Sequence, residues 1–312
     1  MSDLAFLADE TFWRVTLAGA VRLATPIALA ALGETIAERS GLLNLSVDAT
    51  MTAGALVAVI AAAVGGWPAG LAAAGLAGLA LGLAFAALTL VGRLNPIVAG
   101  VALSLVAYGL ADGAFKLWQP SGQVAPFVAL APTFVVPGLA RLPVIGEALF
   151  AQSALTYAAL ALAALTALAL RTTRIGLALT AAGADSASAA LRGVEVARVR
   201  RLAAAFGGTL AGLAGAAITV GYLGAFTEGV SAGRGYVAIA VVIIGRWSVG
   251  GALAGALLFA FCESASLRLQ SRFVGWPGEV FALAPYLVTL AVLTLSSRRG
   301  AAPRELGRDV GP

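Results

Sequence analysis

The sequence contains no histidine and only one cysteine, Cys262, in 312 residues. Without an imidazole that titrates near neutral pH, catalytic triads, Cys-His pairs and histidine-bound metal sites are excluded. A single cysteine also excludes a disulfide framework and a CxxC metal site. No other convergent set of acid, base and nucleophile is visible, so we expect neither an enzyme nor a bound metal or cofactor.

Charged residues are also scarce. They make up 11% of the chain, against about a quarter in soluble proteins, while 60% of the residues are hydrophobic. This composition predicts an all-α fold, a polytopic bundle of transmembrane helices that forms one domain over residues 1–312. The formal charge of +5 comes from basic residues at the ends of apolar runs. Membrane lipid and topology account for such placement, so we expect no contact with nucleic acid.

Two sequence motifs are missing as well. Residues 1–10 carry Asp3, Asp9 and Glu10 in place of the basic start of a secretory signal peptide, so we expect no cleaved leader. The chain also has no GxxxxGK[ST] loop for nucleotide phosphates. If the activity of this protein requires ATP, the nucleotide must bind to another subunit.

Apolar runs predict about eight membrane spans. They cover residues 11–32, the end of the polar segment 33–56, 68–91, 94–111, 150–170, 202–222, a pair at 236–244 and 251–261, and 277–295. The pair is unusual, because each half is shorter than the roughly 20 residues that a helix needs to cross 30 Å of hydrocarbon. It predicts either two tilted short spans or a re-entrant pair buried in protein.

The distribution of basic residues predicts the orientation. Alternating loops place thirteen arginines on one side and five basic residues on the other. The positive-inside rule then puts the N terminus outside and the C terminus in the cytoplasm. Residues 112–148 form the long external loop, which is rich in proline: Pro120, Pro126, Pro132, Pro137 and Pro143. Such a loop suits a docking soluble protein, although a disordered connector would have a similar composition.

The polar stretch 171–201 interrupts the apolar sequence and carries six arginines. Asp185 or Ser186 can cap a short helix over 187–192, and Gly193 is a good stop signal. The stretch is predicted to lie in the cytoplasm. It is either an ordinary basic loop or a surface that contacts a soluble partner.

Polar side chains also occur near or inside membrane depth, where a charge costs about 2.5–3.5 kcal/mol even on insertion scales. Most belong to the segment 33–56, which contains Glu34, Glu38 and Arg39. This segment is either part of a translocation path or gate, or a polar helix end among the lipid headgroups. The candidate path residues are Asn44, Asp48, Asn95, Ser104 and Tyr236.

Three motifs resemble one family. They are the run GADSASA from Gly183, followed by Gly193-Val194 and Arg198; Ser40-Gly41 with Asn44-Leu45 and Asp48; and GRGY…AIAVVIIGRW, which spans 233–247. Together they resemble the permeases of bacterial ABC importers in the ribose, nucleoside and branched-chain amino-acid superfamily. Ala184 stands where the family has an acidic residue, and Ser186 stands where it has proline.

The resemblance implies a coupling loop whose short helix inserts into a cleft of a cytoplasmic ABC ATPase subunit. Its residues here would be Arg174, Gly183, Asp185, Ser186, Gly193 and Arg198. It further implies a second permease subunit, which we expect to be a related, longer chain, an external substrate-binding protein, and a place in the bacterial inner membrane.

The predicted function is therefore that of an ABC importer permease for nucleosides or simple sugars. The segment from Asn44 to Asp48 and the motif at 233–247 favour that branch over branched-chain amino acids. Two alternatives stay open: a permease for branched-chain amino acids, or a secondary transporter driven by an ion gradient. The secondary transporter would need intramembrane carboxylates, for which Asp48 and Glu263 are the candidates.

Overall fold

The computed structural model of the protein describes residues 9–119, 127–273, 275, 277–296 and 302–308. Pro120 and Pro126 of the predicted external loop lie outside the described residues, as do Arg298 and Arg299 near the C terminus. The described part is almost wholly helical, which confirms the all-α class.

Eleven α-helices are seen in these residues. They are α1 (Glu10–Arg39), α2 (Val47–Ala86), α3 (Pro96–Trp118), α4 (Ile145–Phe150), α5 (Ala154–Thr172), α6 (Arg174–Ala184), α7 (Ser186–Leu191), α8 (Val196–Ile218), α9 (Arg234–Ile244), α10 (Val249–Arg272) and α11 (Gly278–Ser296). Two π-helical turns extend α2 over Ala87–Val91 and α8 over Thr219–Leu223. Six segments are long and apolar enough to cross a membrane: α1, α2 with its π turn, α3, α5, α8 with its π turn, and α10.

The helix α2 is a hairpin of two antiparallel arms, residues 47–65 and 67–86. Gly66 has φ +73°, which interrupts the helix. A Cβ on Gly70 would lie 2.7 Å from the carbonyl oxygen of Ala58, whereas twelve residues of straight helix would separate them by about 18 Å. The predicted second and third spans are therefore distinct. Counting the two arms separately gives seven long apolar helices in the part of the chain described, and α11 is a shorter apolar helix.

The helix α8 lies at the centre and packs on both arms of α2. Gly212 touches Gly54 of the first arm, where an added Cβ would lie 2.6 Å from the Gly212 Cα. Gly208 contacts Gly78 and Gly82 of the second arm. The GxxxG patterns at 78–82 and 208–212 therefore face each other, and small residues allow the backbones to approach closely.

Several predicted boundaries were wrong. The first span does not end at Leu32, because α1 continues to Arg39 and buries Glu34 and Glu38. Hydropathy ended this span too early, since glutamate and arginine are good helix formers. Residues 112–118 belong to α3 and not to the external loop. The half-span 251–261 lies within α10, which has 24 residues and is a full-length span.

The external loop is folded where it is described. Strand β1 (Thr133–Val135) pairs antiparallel with β2 (Ala151–Ser153). The amide of Val128 donates to the carbonyl of Gly224, and that of Ala131 donates to Val220. The loop thus folds back over the end of α8, and its described part is not an extended connector.

The helix α9 has 11 residues, or about 16 Å, which is half the thickness of the hydrocarbon core. It buries Val237, Ala238, Val241 and Val242 against the rest of the bundle. The predicted pair is therefore one half-length helix enclosed in protein, followed by a complete span.

Candidate functional site

The polar residues of α2 and its preceding turn lie deep in the bundle. Residues 40–46 leave the end of α1 without helical structure and lead back inward. The Ser104 hydroxyl on α3 donates to the carbonyl of Leu45 at 3.2 Å. Tyr108, one turn further, is twelve residues or about 18 Å from the start of α3 at Pro96. The helix α2 therefore begins inside the bundle, beside the middle of α3.

Asp48 is the centre of this region and is 3% exposed. Its Oδ2 accepts hydrogen bonds from the hydroxyls of Tyr108 and Ser231, the latter at 2.7 Å. Its Oδ1 accepts from the backbone amide of Gly235 at 2.8 Å. Thr52 donates to the Ser231 hydroxyl at 2.9 Å. We call Asp48, Thr52, Tyr108, Ser231 and Gly235 the Asp48 cluster.

The Asp48 cluster joins four parts of the chain. Asp48 lies in the first turn of α2 and also receives an amide from the first turn of α9. Helix N-termini carry partial positive charge, so both helices stabilise the carboxylate. An added Cβ on Gly235 would overlap the Asp48 backbone. Glycine is therefore required for α9 to come this close.

Four of the five predicted path residues lie together. Asn44 is buried and accepts from the amide and hydroxyl of Ser46 at 3.0 and 2.6 Å, which shapes the turn before α2. Ser104 contacts this turn, and Tyr236 contacts the Tyr108 hydroxyl. Asn95 is elsewhere: it caps α3 by accepting from the amide of Ile97 at 2.9 Å.

Sequence reasoning missed Tyr108, Thr52 and Ser231. Thr52 lies one helical turn after Asp48, and Tyr108 lies one turn after Ser104, so helical spacing could have found both. Ser231 precedes α9 and is 183 residues from Asp48 in sequence. No local pattern predicts that contact.

Glu263 of α10 forms an ion pair with Arg234 at 2.6 Å, and both side chains are largely buried. A cavity of about 160 Å³ adjoins this pair, between α10 and α11. The two carboxylates proposed for a secondary transporter, Asp48 and Glu263, therefore both have partners within the bundle.

The predicted coupling loop contains two helices, α6 and α7, where one was predicted. Asp185 caps α7 by accepting from the amide of Ser188 at 3.0 Å and from its hydroxyl at 2.6 Å. This selects Asp185 over Ser186 as the cap. Gly193 has φ +85° just after α7, as expected of a helix stop.

Gly183, which the resemblance assigns to the coupling loop, belongs to the last turn of α6. An added Cβ would overlap the Arg39 carbonyl oxygen and would lie 3.2 Å from the amide nitrogen of Gly41. Glycine is required here because α6 packs directly on the end of α1.

The outer surface of α6 and α7 is exposed and partly apolar. Leu191 at the end of α7 is 90% exposed, and Ile175 on α6 is 74% exposed. Arg174 is exposed, and Arg198 forms only a loose 3.9 Å pair with Glu195. Exposed ion pairs contribute little free energy to folding or binding, whereas an exposed leucine on a short helix suits insertion into a cleft.

A continuous set of contacts joins α6 to the Asp48 cluster. Arg39 donates to the Thr180 hydroxyl of α6 at 3.2 Å and to the Trp247 carbonyl at 3.5 Å. The Trp247 ring nitrogen donates to the buried Glu38 carboxylate. Trp247 follows α9, whose opposite end binds Asp48.

The stability that the Asp185 cap gives to α7 depends on pH. Hydrogen bonds from Ser188 hold the pKa of the Asp185 carboxyl below its usual 3.8. Because the folded pKa is below the unfolded one, the cap is fully present above that usual value and is lost only as the pH falls through the lower folded pKa.

We therefore predict that replacing Asp185 by asparagine, which can still cap, leaves uptake near the wild-type level at neutral pH. Asp185→Lys removes the acceptor and should lower uptake several-fold while ATP hydrolysis continues. The measurement is solute imported per ATP hydrolysed, with Arg174→Gln as the control for a surface charge. Equal coupling in all three variants would show that the cap is dispensable.

Among the residues described, no group of three or more candidate metal ligands is found.

A family model described as "Branched-chain amino acid transport system / permease component" matches residues 16–293. The chain is 33% identical over 297 residues to a putative glucose ABC transporter permease protein of Haloferax volcanii, covering 88% of this chain and 89% of the relative.

Two further relatives cover more of the sequence. A guanosine ABC transporter permease protein of Bacillus subtilis is 31% identical over 294 residues, covering 91% of this chain and 92% of the relative. A nucleoside ABC transporter permease protein of Lactococcus lactis is 29% identical over 307 residues, covering 94% and 96%. No solved structure matches the chain significantly.

Proposed function

The chain belongs to the family of permease components of branched-chain amino acid transport systems, and from that premise we propose that the solute it carries is a nucleoside or a simple sugar. It is a multi-pass membrane protein and a permease subunit of an ATP-binding-cassette importer. The choice of solute depends chiefly on three full-length relatives named for glucose, guanosine and nucleosides.

The polar groups of the bundle support a neutral solute. A zwitterionic amino acid needs charged partners that are free to receive it. Asp48 already accepts three hydrogen bonds, and Glu263 and Arg234 neutralise each other as an ion pair, so neither offers a net charge to a solute. What remains near the Asp48 cluster is hydroxyl-bearing, including the 47% exposed Tyr236. Such a lining lets a neutral, hydroxyl-rich solute pass without a strong charge interaction.

We assign the residues to two sites on this basis. Asn44, Asp48, Ser104 and Tyr236 form the translocation path or gate, together with Tyr108 and Ser231. Asn95 is left out because it caps α3. The coupling site comprises Gly183, Asp185, Ser186 and Gly193, with Leu191 added, whereas Arg174 and Arg198 have lesser roles.

Coupling would proceed along the contacts between these sites. Movement of α6 by the ATPase would displace Arg39 and Trp247, and α9, as a short rigid helix, would carry the displacement to Asp48. Arg246 and Trp247 have φ of +55° and +53°. Such left-handed backbone is strained in residues other than glycine and is common at hinges and switch regions.

The assembly contains two permease subunits, of which the second is a related, longer chain, two ATPase subunits and an external binding protein. Residues 1–312 form one permease domain in the bacterial inner membrane, with 171–201 in the cytoplasm and the loop after α3, up to residue 148, outside. The N terminus lies outside and the C terminus in the cytoplasm. We expect the chain itself to have no enzymatic activity and to need no metal or cofactor.

The test is transport by the reconstituted assembly, with permeases, ATPase and binding protein in one vesicle. We expect ATP-dependent uptake of a nucleoside such as guanosine, or of a pentose or hexose, and no uptake of leucine. Uptake of leucine alone would contradict the solute but not the importer. Uptake driven by a sodium or proton gradient through this chain alone would contradict both.

A further inference from the structure

We propose that the C-terminal tail, residues 303–308, is a working part of the coupling site and fixes α6 and α7 to the turn between α1 and α2. This inference rests on the proposed coupling function and extends it to the C-terminal tail. The sequence of the tail indicates only that it is basic. The tail lies on the same side of the bundle as α6 and α7, because it contacts both.

Backbone hydrogen bonds hold the tail from two directions. The amide of Glu305 donates to the carbonyl of Gly183, the last-turn residue of α6, at 3.1 Å. The amide of Gly307 donates to the carbonyl of Gly41 in the α1–α2 turn at 3.3 Å. The tail therefore bridges the end of α6 and the start of the segment that leads to Asp48.

The Glu305 carboxylate adds a second link. Its Oε2 accepts from the Ser186 hydroxyl in the first turn of α7 at 3.2 Å. The same atom lies 3.6 Å from Nη2 of Arg200, whose side chain is only 5% exposed. A buried guanidinium needs a counterion, and Glu305 supplies it.

Arg200 completes the connection. Its Nε donates to the carbonyl of Ser40 at 3.0 Å. An added Cβ on Gly41 would lie 3.0 Å from both the Arg200 Nη2 and the Glu305 Cβ, so these groups are packed tightly around the turn. One carboxylate thus joins α7, the base of α8 and the α1–α2 turn.

This arrangement gives the tail a defined task. When the ATPase moves α7, Glu305 transmits the displacement through Arg200 and Gly41 to the turn before α2. Without Glu305, α7 is still capped by Asp185, but it is held less firmly to the bundle. The expected defect is therefore loss of coupling and not loss of insertion or of ATPase binding.

The test uses the complete reconstituted importer, prepared separately with three forms of this permease. They are the wild type, Glu305→Gln and a form that stops after Ala302. Solute import and ATP hydrolysis are measured on the same vesicles. We expect Glu305→Gln to lower the solute imported per ATP about fivefold, with hydrolysis within about twofold of wild type. Glu279→Gln, an exposed carboxylate at the start of α11, is the matched control and should behave as wild type.

A double variant separates transmission from packing. If Glu305 acts through Arg200, Arg200→Gln combined with Glu305→Gln should lose no more coupling than the worse single variant. Full coupling in both Glu305→Gln and the shortened chain would overturn the proposal. If wild type itself shows no ATP-dependent import, the proposed function fails instead, and the two failures are thereby distinguished.

Discussion

Replacing Gly183 by valine is expected to abolish coupled uptake while the protein still inserts and the ATPase still hydrolyses ATP. The added side chain would overlap the Arg39 carbonyl oxygen, so α6 cannot keep its place on the end of α1. Overpacking of this kind costs about 1–3 kcal/mol, which lowers the equilibrium constant between docked and undocked α6 roughly 5- to 150-fold. The measurement is uptake in vesicles, normalised to membrane abundance.

Gly250→Val is the matched control. Gly250 is in the first turn of α10, is exposed, and has no atom within 4 Å of an added Cβ. The same chemical change there should leave uptake unchanged. Wild-type uptake in the Gly183→Val variant would show that α6 does not transmit the ATPase movement.

Asp48 should tolerate asparagine far better than alanine. Asp48→Ala leaves the Gly235 amide and the hydroxyls of Tyr108 and Ser231 buried without their acceptor. Each such group costs about 1–3 kcal/mol, so we expect the melting temperature to fall by roughly 10 °C. Uptake should fall more than about tenfold, since a 1.4 kcal/mol change already corresponds to a factor of ten.

An asparagine at position 48 can accept from the Gly235 amide and donate to a hydroxyl oxygen, so it retains most of the cluster. We expect uptake within about threefold of wild type. Asp112→Ala, one turn beyond Tyr108 on α3, is the control for loss of a carboxylate on the same face of the bundle. If Asp48→Asn abolished uptake with an unchanged melting temperature, the charge itself would be acting on the solute.

Apolar runs predicted the long spans, and the run from Asp185 to Gly193 predicted α7, its stop, and a cap at either Asp185 or Ser186, because these features depend on neighbouring residues. The extension of α1 through Glu34 and Glu38 was missed, since hydropathy measures solubility in lipid and not helix continuity.

Long-range contacts account for the remaining errors. Gly183 and Gly235 were recognised as motif residues, but their purpose is close packing on Arg39 and Asp48, which lie far away in sequence. Ser231 and Glu305 act through partners more than 100 residues distant. No spacing rule within a single segment contains that information.

The glycine contacts between α8 and the two arms of α2 also determine which parts can move. Where Gly78 and Gly82 meet Gly208 and Gly212, no layer of side chains separates the two backbones. Ordinary helix pairs slide by an ångström or two because their side chains readjust, and this interface has none to readjust. The hairpin and α8 should therefore travel as one rigid block during each cycle. The sliding that opens and closes the path should instead occur between α10 and α11, which pack through larger side chains such as Phe259 and Tyr286.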